Sequence, residues 1–260
     1  MQGQMQKKAD QTPYGLALPF NVKFGSLDPG KCNREAIMIR FISILFVLIA
    51  LAISGRPATA GDVMSAPPAS PDPAARYLFY MHGGYPERRG GGADYKYDSI
   101  LETLADKGFV VIGELRGQTN PRQYGAGIAD QVQSLLDAGV PTANITVAGH
   151  SKGGLMSMVA ASALGNPDVK FGVMAACGQE GSRFNRSYKK FVKRSAARIK
   201  GRFLVAWAED DDVAGNCDKA LNKAGVPYEN KVLPAGRGHQ LFYTPEPVWI
   251  DLLSAYAAGN

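Results

Sequence analysis

A serine hydroxyl becomes an effective nucleophile only when a base takes its proton and a third group holds that base in place. Three segments of this chain carry residue types suited to such a relay. The first is Gly149-His150-Ser151-Lys152-Gly153. Upstream of it, Asn144-Ile145-Thr146-Val147-Ala148 is a short, β-branched apolar run that predicts a buried strand. Downstream, Gly154 to Leu164 is rich in small and apolar residues and predicts a closely packed helix. A Gly-x-Ser-x-Gly run between a strand and a helix has the signature of a nucleophile elbow. Its glycines permit the sharp turn, and its serine stands at the carboxyl edge of the sheet. The spacing alone is common; the strand–turn–helix context gives it weight.

The base must be a histidine, and the chain has three: His82, His150 and His239. His150 sits inside the elbow, where its side chain is expected to point away from Ser151. His82 follows a predicted strand in an amide-rich loop. His239, in Gly236-Arg237-Gly238-His239-Gln240-Leu241-Phe242, falls between the last predicted strand and the last predicted helix, and is the expected base. The acid belongs after the strand Phe203–Ala208, where Glu209-Asp210-Asp211-Asp212 supplies four adjacent carboxylates. Asp211 is preferred, with Asp212 and then Asp210 as alternatives. Carboxylates that do not face His239 would be solvated or would cap the next helix.

An oxyanion that develops at the attacked carbonyl needs preorganised N–H donors. One is expected from the backbone of Lys152. The other is expected from Gly84 or Tyr85 in Met81-His82-Gly83-Gly84-Tyr85-Pro86, where glycines let the backbone approach a substrate closely. Gly90-Gly91-Gly92 nearby reads equally as a mobile edge or a plain loop.

These segments must be positioned by a scaffold, and the chain alternates strands and helices. Strands are predicted at Arg76–Met81, Phe109–Gly113, Asn144–Ala148, Phe171–Ala176, Arg202–Ala208 and Tyr228–Leu233. Helices are predicted near Tyr97–Lys107, Ala126–Leu136, Asp218–Ala224 and Pro247–Ala257. Near-continuous apolar strands in repeated β-α units predict an α/β fold, with a mostly parallel central sheet and helices on both faces. Right-handed crossovers then place functional loops at the carboxyl ends of the strands.

With the His-Gly-Gly loop, the Ser151 elbow, the acidic loop and His239 in that order, residues 75–258 resemble the α/β-hydrolase family. The resemblance implies esterase-like acyl transfer through a covalent acyl-enzyme, with Ser151 after the middle strand. Two departures point to a small, open-sited member without a large lid. The antiparallel first strands of the family look absent, and the segment between Cys177 and Arg202 is short. A peptidase or amidase on the same chemistry, and a catalytically silent binding protein on the same scaffold, are the alternatives. Dienelactone-type hydrolysis fits less well because the elbow carries Ser rather than Cys, and dehalogenation would need Asp there. No cofactor and no metal are called for.

The N-terminal part reads differently. Phe41 to Ile53 is an uncharged apolar run of thirteen residues, preceded by Arg40 and followed by Ala58-Thr59-Ala60. That combination predicts a signal peptide at 38–60, cleaved after Ala60, for a secreted or periplasmic protein; an uncleaved membrane anchor is the alternative. Residues 1–37 read as an extension without function, 61–74 as a linker, and 75–260 as the hydrolase domain. Beyond residue 60 the chain holds 22 basic and 20 acidic residues, so the full-chain pI of about 9.2 overstates any affinity for nucleic acid. The expected partner is a small-molecule or lipid-like ester, not nucleic acid, with membrane contact only through an uncleaved signal segment. Between Arg183 and Arg202 lie nine basic residues and no acidic one. They read first as a solvated helix face and second as a rim attracting an anion or an envelope surface. Cys177 and Cys217 each follow a predicted strand, which would bring both thiols to one sheet edge. In an exported protein they are expected to pair.

Overall fold

A computed structural model describes residues 58–92 and 94–259. The expected extension and the apolar leader run lie outside the described residues.

The scaffold is a seven-stranded sheet built from β1 (Val63–Met64), β2 (Tyr77–Met81), β3 (Val110–Ile112), β4 (Ile145–His150), β5 (Lys170–Met174), β7 (Arg202–Ala208) and β9 (Tyr228–Leu233). Their spatial order is β1-β3-β2-β4-β5-β7-β9, and every pairing is parallel. After β2 the chain steps outward to β3, then returns past β2 to β4 and continues to the other edge. The carboxyl ends of β2 and β4 therefore flank the point where the winding reverses, which is where an open α/β sheet leaves a crevice.

Strand alternation supplies two cores. Tyr77, Phe79 and Met81 face one side, against α3 (Pro121–Asp137) and α4 (Lys152–Leu164). The same core takes Tyr188 and Phe191 of α5 (Asn185–Arg194) and Leu221 of α6 (Asp218–Ala224). Leu78 and Tyr80 face the other side, where α2 (Tyr97–Asp106) and α7 (Pro247–Ala258) bring Ile100, Leu104, Trp249 and Leu253. Burial on both faces explains why these strands read as unbroken apolar runs.

Several expectations need correction. Residues 61–74 are not simply a linker, because Val63 and Met64 pair in parallel with Val111 and Ile112 and extend the sheet edge. Short strands of two residues carry too little pattern to be seen in sequence. Helix α3 starts at Pro121, earlier than expected, because Asn120 accepts the Arg122 N–H and Pro121 is preset for a first helical turn. A short antiparallel pair, β6 (Cys177–Gly178) with β8 (Ala214–Gly215), forms a second, two-stranded sheet outside the expected strands. It lies beside a Cys177–Cys217 disulfide with a Cα–Cα distance of 5.3 Å. Among the described residues no helix is long and apolar enough to cross a membrane.

Candidate active site

The pairing of β2 with β4 sets Met81 beside Gly149. The His82-Gly83-Gly84 loop and the Ser151 turn therefore leave the sheet side by side. Ser151 has φ 55° and ψ −115°, a conformation that side chains rarely adopt and that costs on the order of 1–3 kcal/mol. The turn is held by the Ser151 N–H, which donates to Met174 O at 2.8 Å. Its neighbours leave no alternative to glycine. A Cβ on Gly153 would fall 2.0 Å from Met81 O, and one on Gly149 would fall 2.5 Å from the Gly153 carbonyl carbon.

His239 lies on a 3-10 turn at Gly238–Tyr243. Its Nε2 is 2.9 Å from Ser151 Oγ, and its Nδ1 is 2.9 Å from Asp211 Oδ2. Partner chemistry assigns the tautomer: Nδ1–H donates to the carboxylate, and the bare Nε2 accepts the serine hydroxyl. Asp211 is 2% exposed, and its other oxygen accepts the Val213 and Ala214 N–H groups at 2.8 and 3.0 Å.

The neighbouring carboxylates go elsewhere. Asp210 accepts the Gly236 and Gly238 N–H groups at 2.7 and 3.1 Å, clamping the loop that carries His239. Asp212 is exposed.

Gly83, Gly84, Tyr85, Arg88, Phe184 and Tyr243 help to line a shallow cavity of about 10 Å³ over Ser151 and His239. Lys152 follows Ser151 as the first residue of α4, so its N–H is one of the unpaired donors of a helix start. A larger open groove of about 450 Å³, lined by Gln179, Tyr188 and Trp207 among others, shares no residue with this cavity.

Three features of the site have no counterpart in a sequence pattern. First, Pro86–Arg89 forms a short helix, α1, whose Glu87 side chain is 4% exposed. Glu87 binds Arg116 Nε at 3.0 Å and Lys152 Nζ at 2.5 Å, and Lys152 also donates to Thr119 O at 2.6 Å. One carboxylate thus ties the loop of Gly84 and Tyr85 to the residue after Ser151. Second, His150 does not leave the site. Its buried ring lies 4.7 Å from that of His239, and its Nδ1 is 3.2 Å from Tyr95 Oη. Burial, with His239 nearby, holds His150 well below the ordinary imidazole pKa, so it stays neutral in the site wall. Third, His82 is an anchor. Burial, reinforced by Arg116, lowers its pKa to about 3. Nδ1–H donates to Gly83 O at 2.7 Å, and Nε2 accepts the Arg116 N–H at 3.0 Å. None of these roles has a fixed spacing that a sequence pattern could reveal. Among the described residues no group of His, Cys, Asp or Glu is arranged to hold a metal ion.

No protein-family model matches the sequence, and a search of curated proteins finds no match. Solved structures do resemble it. A hyperthermophilic esterase from the archaeon Pyrobaculum calidifontis aligns at 16% identity and TM-score 0.51, over 88% of this chain and 94% of that one. A hormone-sensitive lipase from a metagenome library aligns at 15% identity and TM-score 0.52, over 73% and 78%. Dipeptidyl peptidase 4 of Porphyromonas gingivalis aligns at 16% identity and TM-score 0.47 over 74% of this chain, which spans only 32% of that protein. At these identities the likeness is one of fold. The architecture is the α/β-hydrolase fold, in a small form with an all-parallel sheet among the described residues.

Proposed function

We propose that this protein is an exported serine hydrolase that cleaves carboxylic esters through an acyl-enzyme. The observation that carries the reading is the continuous line from Asp211 through His239 to Ser151, with both hydrogen bonds at 2.9 Å and Ser151 on a strained elbow. Ser151 Oγ attacks the ester carbonyl while His239 Nε2 takes its proton, and Asp211 stabilises the resulting imidazolium. The oxyanion is received by the Lys152 N–H and by Gly84 or Tyr85 in the adjoining loop. Collapse breaks the bond to the alcohol oxygen, which leaves with the proton from His239. Water, deprotonated by the same imidazole, then releases the acid and restores Ser151. The esterase and lipase with this fold support the ester as the bond cleaved. Export rests on the leader read at 38–60 and is supported by the Cys177–Cys217 disulfide, since such bonds persist in oxidising compartments.

Treatment with a fluorophosphonate, followed by peptide mass spectrometry, tests the assignment. An adduct on Ser151 is expected, together with turnover of short-chain p-nitrophenyl esters. Faster cleavage of matched anilides than of esters would favour the peptidase or amidase alternative. No adduct and no turnover would leave a silent scaffold.

A further inference from the structure

Two arginines reach the cavity over Ser151 from different elements. Arg88, on α1, has Nη1 3.4 Å from the point where a Cβ on Gly84 would sit, so its guanidinium lies beside the loop expected to receive the oxyanion. Arg183, in the segment before α5, lies with its guanidinium carbon 5.0 Å from the centre of the Phe184 ring. Phe184 in turn stacks on His239 at 6.0 Å and 24°. One cation therefore flanks the site on the oxyanion side and the other on the side of the base. Of the nine basic residues from Arg183 to Arg202, only Arg183 lines this cavity.

The nearby carboxylates are already engaged. Glu87 is held by Arg116 and Lys152, Asp211 by His239, and Asp210 by the Gly236 and Gly238 amides. Asp94 accepts the Tyr85 hydroxyl at 2.8 Å and keeps its charge. Neither Arg88 nor Arg183 forms an ion pair among the described residues. Burial raises the pKa of the Tyr243 phenol in the cavity wall, and both guanidinium charges oppose the rise. Both cations thus act on one side chain at the mouth. Both side chains are exposed and line the same cavity, and the planar fork of each guanidinium suits a carboxylate.

Building on the serine hydrolase reading, we propose that Arg88 and Arg183 form an anion-recognition pair, and that the substrate is a small ester bearing a carboxylate near the scissile bond. The anionic group belongs to the acyl part or to the alcohol part, and the two sources are separable by experiment.

The test compares kcat/KM for isosteric pairs in a pH-stat: monoethyl glutarate against its primary amide, ethyl 4-carbamoylbutanoate, for an acyl-side charge, and 4-acetoxybenzoate against 4-acetoxybenzamide for an alcohol-side charge. In at least one pair the anionic member should be preferred by about ten-fold, a size set by charged hydrogen bonds discounted for exposure. The preference should shrink in 0.5 M salt. Arg88→Gln and Arg183→Gln should each bring the ratio toward one, whereas Lys190→Gln, an exposed charge on α5 outside the cavity, should not. A wild-type ratio at or below one in both pairs, with neutral esters still turned over and Ser151 still labelled, overturns the inference and leaves the hydrolase reading standing. A preference that survives the Arg88→Gln/Arg183→Gln double variant, or falls equally with Lys190→Gln, also overturns it. Absence of both labelling and turnover fails the hydrolase reading, and this inference with it.

Discussion

Glu87 and Lys152 meet at 2.5 Å across the junction between the His-Gly-Gly loop and the Ser151 elbow. The contact is shielded: the Glu87 side chain is 4% exposed and that of Lys152 is 19%. The two segments proposed to present N–H groups to one oxyanion are thus fixed to each other by a charged side chain. Arg116 completes the arrangement by donating from Nη2 to the His82 carbonyl while holding Glu87.

Glu87→Gln should therefore reduce kcat by more than it raises KM, because the misalignment is felt mainly in the transition state. Removing one partner also leaves Arg116 buried without its counter-charge, a loss of about 3–5 kcal/mol in fully buried pairs. Chemical denaturation at neutral pH measures the second effect, and kinetics on the folded fraction the first. An unchanged kcat in a folded Glu87→Gln protein would show that the ion pair serves stability alone.

The acidic run gives a graded set. Asp211→Asn should lower kcat by about four orders of magnitude, because the amide favours the wrong imidazole tautomer. Asp210→Asn should cost roughly ten-fold or less, through a looser grip on the Gly236 and Gly238 amides. Asp212→Asn should change little. Steady-state kinetics on the three single variants decides the order.

The elbow stores strain that the folded state must overcome. Ser151→Ala and Ser151→Gly should both abolish turnover, but Ser151→Gly should be more stable by about 1 kcal/mol, because glycine accepts φ 55° readily. Urea midpoints of the two inactive proteins make the comparison. Equal midpoints would mean that the surrounding hydrogen bonds remove the strain.

Acid should destabilise the fold through its buried histidines. His82 titrates near 6.5 in the unfolded chain and at about 3 in the folded one. Between those values the unfolded chain binds a proton that the folded chain refuses, so stability falls as the pH drops. The loss is about 1.4 kcal/mol per pH unit for one such group. Above pH 6.5 this contribution is fully present. His150, depressed in the same direction, adds to the effect. His82→Gln should flatten the dependence of the urea midpoint on pH between 6 and 4, and an unaltered slope would assign the effect to other groups.

The local determinants of this protein lie in its sequence. Ser151 between two glycines, after a β-branched run and before a helix, announces its own turn, because turn geometry depends on the few residues that form it. The buried strands β2, β4, β5 and β7 are equally legible, since burial on both faces demands apolar side chains at successive positions. The order of the loops carrying Ser151, the acid and His239 is also a property of the chain alone. What depends on direction in space was decided only by the tertiary structure. Asp210, Asp211 and Asp212 are chemically identical, and a turn closed by the Asp211 N–H on Ala208 O aims one at His239 and another at the glycine amides. Glu87 and Arg116 meet across 29 residues, and Glu87 and Lys152 across 65. Such long-range pairs leave no periodic trace in composition or spacing. Arg183 is likewise one of nine basic residues in its stretch, and the cavity singles it out because only packing brings Phe184 against His239 and carries Arg183 to the same mouth as Arg88.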